Sequence, residues 1–408
     1  MKKLFSVLLL IAMVFSLTAV SAYAEEPLKL EFFSRKPEAA DCYQSLIDKF
    51  NAANPDLKVS LTSTSDADTV LLTRISSNDI PQIVNVSQTG TYFDYMRNGI
   101  FVDLTGDPIL ENVEDSICEM MLVDGSIYCV PCTLSPMGIF YNVELFDKMG
   151  YTMPDTFEGL IELCEKMEAD GITPFAFSDK TASTIGQQSE RILGGNINYT
   201  VAQKMEAVGL GETSWTKEPE LRRLAEVLLE LRKHCAPDNI GTSHEDALSA
   251  FVKQEVAMVY SGTWAATTIN DGNPEFTYKM AIFPSIDGVE PYYCLSADTC
   301  YAISAACSEE EKAGAYRFVE YLLSAEAMDE WVKTDLTPNL CKNVSGTAEC
   351  FQDAVEIMAA GRMSILPNVD EPAGFRNEWQ VLIQQMFIDN DIDAFINACD
   401  ELCVEYYN

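Results

Sequence analysis

Trp264 stands where a recognition surface is easiest to build. The stretch VAMVYSGTWAATTIND, residues 256–271, runs as an apolar strand to Tyr260, turns at Ser261-Gly262 and carries the tryptophan straight into a helix-like segment. Ser261 or Thr263 is placed to cap that segment, with its first amides pointing outward. A large aromatic on such a turn offers a flat apolar plate beside polar backbone. The polar side chains that could work with it are Arg35, Asp66 and Gln88, which follow three strand-like runs, together with Asp179, Asp298 and Arg376. Tyr141 and Trp379 add aromatic surface. Guanidinium, carboxylate and amide groups around an aromatic suit ligand binding. Each residue also has a plainer role: Trp264 covering the core where strand meets helix, Arg35, Asp66 and Gln88 solvated in loops, Asp179 as a helix N-cap, and Tyr141 and Trp379 packed inside their own apolar elements. Trp215 and Trp331 read as packing residues. Catalysis has little to draw on. His234 and His244 are the only histidines, and neither a nucleophile elbow nor a phosphate-binding glycine loop is present.

These side chains need a scaffold, and the elements alternate. Residues 28–33 read as a strand, 38–54 as an amphipathic helix stopped by Pro55, 57–62 as a strand, 67–79 as a helix and 82–87 as a strand. That spacing predicts right-handed crossovers and a parallel sheet covered on both faces, with ligands beyond the carboxyl ends of the strands. Those ends are Ser34-Arg35, Thr62 to Asp66 and Ser87-Gln88. Further strands are expected at 137–142, 173–178, 276–283 and 298–304, with helices filling 180–254 and everything after 308.

The chain has 408 residues, of which 1–24 read as a secretory signal peptide. Lys2-Lys3 is its basic start, residues 4–20 are mostly apolar, and Ala22-Tyr23-Ala24 has the form of a cleavage site. With no cysteine near the cut, a lipid-attachment site is not expected. No other run approaches the ~20 apolar residues needed to cross a bilayer. The remainder is long enough for two lobes. A net charge of −36 repels nucleic acid and anionic lipid, so neither is expected as a partner. It also counts against a polyanionic ligand, unless a local basic pocket overrides it. Thirteen cysteines leave at least one without an intramolecular partner. Most, such as Cys118, Cys164 and Cys300, sit in apolar patterns. Cys129 and Cys132 have redox spacing but enclose Pro131 away from a helix start, so reduced structural thiols are expected, with disulfides the alternative.

Four stretches taken in order carry a resemblance: FNAANPDLKVSL, LLTRISSNDIPQIVNV, GSIYCVPCTLSPMGIFYNVELFDKMGY and VAMVYSGTW. Together they resemble the extracellular solute-binding proteins of ABC importers, in the carbohydrate-binding family that includes maltose-binding protein. Cys132 stands where that family commonly has an aromatic. The resemblance implies an α/β fold: a two-lobed clamp like the periplasmic binding proteins, each lobe a mostly parallel sheet flanked by helices. It places one lobe at 25–130 plus 281–325 and the other at 131–280 plus 326–408. Crossings would lie near Pro131, Phe283-Pro284 and Ser324. It further implies a mono- or oligosaccharide delivered to a permease pair by an exported monomer, with no cofactor and no chemistry of its own. An aromatic plate covers the C–H face of a sugar ring while polar groups satisfy its hydroxyls, and Trp264 suits that plate. Other readings stay open. A glycosidase needs only two carboxylates at a set separation. Ferric ion is suggested by the adjacent Tyr292 and Tyr293, and polyamine by an acidic, aromatic cleft. A surface adhesin would lack the permease.

Overall fold

The computed structural model describes residues 26–64, 66–87, 90–197, 201–339, 342, 347–365, 371–372 and 374–408. Its first sheet begins as the alternation predicts. Strands β1 (Leu28–Ser34), β2 (Leu57–Ser63) and β3 (Ile83–Val86) run parallel, with Phe32 opposite Leu61 on one side and Ile83 on the other. The helix Ala40–Ala53 buries Cys42, Tyr43, Leu46, Ile47 and Phe50, one stripe at helical spacing. Asn51 ties that helix to β2, accepting from the Val59 amide at 2.8 Å and donating to its carbonyl at 2.9 Å.

The sheet is completed by strands that arrive from elsewhere. β4 (Val130–Leu134) and β10 (Ala297–Ile303) give the order β2-β1-β3-β10-β4, and β10 is antiparallel to both neighbours. A second sheet has the order β6-β7-β5-β8, from β5 (Met137–Asn142), β6 (Phe175–Ala176), β7 (Met258–Gly262) and β8 (Tyr278–Ala281). There β6 and β7 are parallel while β5 is antiparallel to β7 and β8. Each sheet is therefore mixed. A parallel pair needs a helical crossover, whereas a strand entering from the other lobe comes from the opposite end and pairs antiparallel. A short parallel pair joins β9 (Tyr293–Leu295) to β11 (Met363–Ile365).

The three expected crossings lie elsewhere. Pro131 is inside β4, opposite Cys300, so the chain leaves the first sheet at Ser135-Pro136 instead. Phe283-Pro284 stays on the second lobe, where Phe283 stacks on Phe157 at 6.3 Å and Asn196 donates to both carbonyls, and the chain reaches the first sheet only at Ser296, just before β10. Ser324 caps the helix Ala325–Asp335, which stays on the first lobe: Trp331 packs on Tyr43 at 4.6 Å and Glu330 accepts from Ser45 at 2.6 Å. The chain returns only after that helix. The second lobe's core is helical around Trp379, which stacks on Phe375 at 5.8 Å and meets Trp215 at 6.3 Å. All twelve cysteines among the described residues are free thiols, and burial pushes Cys164 up to about 12.

Candidate functional site

A cleft of about 420 Å³ lies between the two sheets. From the first lobe it receives Arg35 and Lys36, which follow β1, Ser87, which follows β3, and Asp298 in β10. These are carboxyl-end positions for β1 and β3, as the parallel arrangement requires. Lys36 is buried and donates to Asp298 at 2.5 Å while lying 5.4 Å from the Trp331 ring centre. Burial alone would raise the Asp298 carboxyl. Attraction to Lys36 and its hydrogen bond, helped by Arg35 and Thr299, outweigh that and hold it below the usual carboxylate range. The Ser87 hydroxyl is buried at the cleft edge with no hydrogen-bond partner among the described residues.

From the second lobe come Trp264, Thr268, Arg376, His244 and the helix Ala182–Ile192, which presents Thr184, Gln187 and Arg191. Trp264 is half-buried and folds back over Gly262, where an added Cβ would stand 2.0 Å from the ring. The motif's glycine is thus the space its tryptophan occupies. Trp264 itself takes the N-cap position of the helix Ala265–Gly272 without a side-chain bond. The Ser261 and Thr263 hydroxyls are buried and unpartnered rather than capping it.

The helix Ala182–Ile192 is held over β7 by Gln188, which donates to the Tyr260 carbonyl at 2.9 Å. One turn on, Arg191 donates to Ser296 Oγ at 3.2 Å and to the Gln187 carbonyl at 3.4 Å, 5.9 Å from the Trp264 ring centre. Its Nε has no partner, and burial lowers the pKa of the guanidinium. Ser296 in turn sits 2.9 Å from Ser135 Oγ, so both crossing segments reach the cleft floor. Arg376 donates to Glu371 at 3.1 Å and lies 3.5 Å from the buried Glu190. Burial lowers the pKa of His244, favouring the neutral imidazole.

The structure thus brings Trp264, Arg35, Asp298 and Arg376 onto one cleft. The other candidates stand apart. Asp66 is exposed at the start of the helix Ala67–Ser76 and makes no capping bond. Tyr141 is half-buried against Phe146 at 4.7 Å. Asp179 is buried in an ion pair with Arg232 at 2.8 Å, so the N-cap role falls to Thr181. Trp379 is core, and Gln88 lies outside the described residues. Lys36, Gln187, Arg191, Ser135 and Ser296 were not expected from the sequence. The available signal was the charged pair Glu190-Arg191 set directly before Ile192-Leu193 on a buried helix. Tyr292 is exposed and Tyr293 buried, so the two hydroxyls do not converge on an ion.

The model of the bacterial extracellular solute-binding proteins matches residues 36–329. This chain belongs to that family. The solute-binding protein is 27% identical over 327 residues to the multiple sugar-binding protein of Streptococcus mutans, covering 78% of this chain and 77% of that one. It is 21% identical over 255 residues to the melibiose/raffinose/stachyose-binding protein MelE of Bacillus subtilis, 60% of this chain and 58% of that one. Its fold is that of RafE in complex with raffinose, with a TM-score of 0.83 at 23% identity over 93% of this chain and 100% of that one. A Bacillus licheniformis sugar transporter solved with stachyose has the same fold, with a TM-score of 0.73 at 16% identity over 93% and 99%. The family consists of exported transport components, not enzymes. No described helix is long and apolar enough to cross a membrane.

Proposed function

We propose that this protein captures a mono- or oligosaccharide between its lobes and delivers it to the permease of an ABC importer. One observation carries the reading: a half-buried aromatic plate, Trp264, shares a cleft with hydrogen-bonding groups that have no partner among the described residues, Ser87 Oγ and Arg191 Nε. A sugar fills both needs, its C–H face on the ring and its hydroxyls on the polar atoms. The sugars named for the relatives support the same class. In this reading Trp264 stacks, and Arg35, Lys36, Asp298, Arg376, Gln187 and Thr184 supply hydrogen bonds. The signal peptide is cleaved after Ala24 and the mature protein acts as a monomer. Polyamine finds no support in the cleft, whose single lining carboxylate is already taken by Lys36.

A thermal-shift screen of the mature protein against neutral and acidic mono- and oligosaccharides tests this, with spermidine and ferric ion as controls. Ligand at ~100 times its dissociation constant stabilises the native state by ~2.7 kcal/mol, a rise of a few degrees. A rise with sugars alone supports the reading. A rise with spermidine or iron and none with any sugar overturns the cargo.

A further inference from the structure

The cleft has the opposite charge balance to the molecule that carries it. The chain bears a net −36, yet the cleft is lined by Arg35, Lys36, Arg191 and Arg376 against one carboxylate, Asp298. Two of the four cations are satisfied: Lys36 by Asp298, and Arg376 by Glu371 and Glu190. Arg35 and Arg191 have no carboxylate within 4.0 Å among the described residues. Arg35 is only partly buried and stays open to solvent. Arg191 is only 5% exposed, and its Nε bonds to nothing. Lys36 and Arg191 are the buried cations among the described residues, and Lys36 has a counter-ion. A buried guanidinium kept charged without one is costly unless a partner arrives from outside the chain. Its position supplies the route, because it lies at the cleft wall beside the Trp264 ring.

Resting on the sugar-binding reading above, we infer that the bound sugar carries a carboxylate, a uronic acid residue, and that Arg191 is its specificity-determining counter-ion. The buried Glu190 attracts Arg191 through space, but the guanidinium has a free Nε and no carboxylate bonded to it among the described residues, an arrangement that one ligand carboxylate matches. A planar guanidinium offers it paired donors, and the Trp264 face beside it accepts the same ring's C–H groups. A neutral sugar would satisfy the Nε donor but leave the guanidinium without a directly bonded carboxylate. The acidic exterior does not prevent this, since a local basic pocket sets the field that the ligand meets inside.

Calorimetric titration of the mature protein decides it. The probes are glucuronic acid, galacturonic acid and disaccharides containing them, each against its neutral hexose counterpart and its 6-phosphate. A uronate is expected to bind at least ~tenfold more tightly than its neutral counterpart, with the advantage shrinking as salt rises. Arg191→Gln and Arg191→Lys should both reduce that preference, the lysine less, because the uronate loses more affinity than the neutral sugar. If the Arg191 variants do not fold, the wild-type preference for the uronate and its fall with salt still decide the matter. Equal or tighter binding of a neutral sugar overturns this inference and leaves sugar capture standing. Tighter binding of the phosphates than of the uronates overturns the carboxylate. Binding of no sugar of any kind overturns both this inference and the proposed function.

Discussion

At the scale of single residues, three of the four tryptophans fill two different roles, and truncation separates them. Trp264 is half-buried at the cleft, whereas Trp331 and Trp379 are packed in the two cores. Trp264→Ala should weaken sugar binding by about tenfold or more, ~1.4 kcal/mol, with a small loss of stability; calorimetry and urea unfolding read the two effects. Trp331→Ala should do the reverse, costing ~3–5 kcal/mol of folding stability. Unchanged affinity in Trp264→Ala would return that residue to packing. Asp298 adds a pH argument. Its carboxyl is held below its ordinary value of 3.8, so its contribution is fully present above that value and is lost as pH falls through the lower folded one. Its pairing with Lys36 should therefore persist from neutral pH down to about 4. Asp298→Asn removes it at every pH, stranding a buried ammonium at a cost of ~3–5 kcal/mol. A melting temperature for Asp298→Asn that matches wild type at pH 7 would show the pair to be dispensable.

At the scale of elements, the sequence exposed what is local and hid what depends on entry direction. Strands 28–33, 57–62 and 82–87 were legible because a helix and a Pro or polar break separate each pair, and Arg35 at a strand's carboxyl end followed from that alone. The resemblance placed a crossing near Pro131, where the structure has a strand instead. The proline is tolerated in β4 because β4 is an edge strand of its sheet. Arg191 was hidden for another reason: a charged residue on an amphipathic helix normally marks the solvated face, and here that face is turned into a cleft. The second sheet also depends on a contact that periodicity cannot reveal. A Cβ at Gly138 would stand 2.4 Å from the Ala281 carbonyl oxygen of β8. Gly138→Ala should therefore destabilise the fold by ~1–3 kcal/mol through overpacking, read as a lower urea midpoint. An unchanged midpoint would mean that β5 and β8 separate without cost.

At the scale of the whole molecule, the cleft is assembled from the two sheets and the helices packed on them. Arg35, Lys36, Ser87 and Asp298 belong to the first lobe, Arg191, Trp264 and Arg376 to the second, and Ser135 and Ser296 meet at 2.9 Å on the crossings between them. A ligand that touches both sets gains contacts only in an arrangement that keeps both within reach, so it stabilises that arrangement by its differential affinity. The crossings at Ser135-Pro136 and Ser296 are the places for the backbone to turn, being the breaks between β4 and β5 and between β9 and β10. Small-angle scattering of the mature protein should accordingly show a smaller radius of gyration with saturating sugar than without, from a starting value of at least ~21 Å for a chain of this length. The fall should survive Gly138→Ala, which disturbs one lobe internally, and shrink in Trp264→Ala at the same sugar concentration, because occupancy falls. An unchanged radius at saturation, with binding confirmed by calorimetry, would mean that the lobes hold the sugar without closing on it.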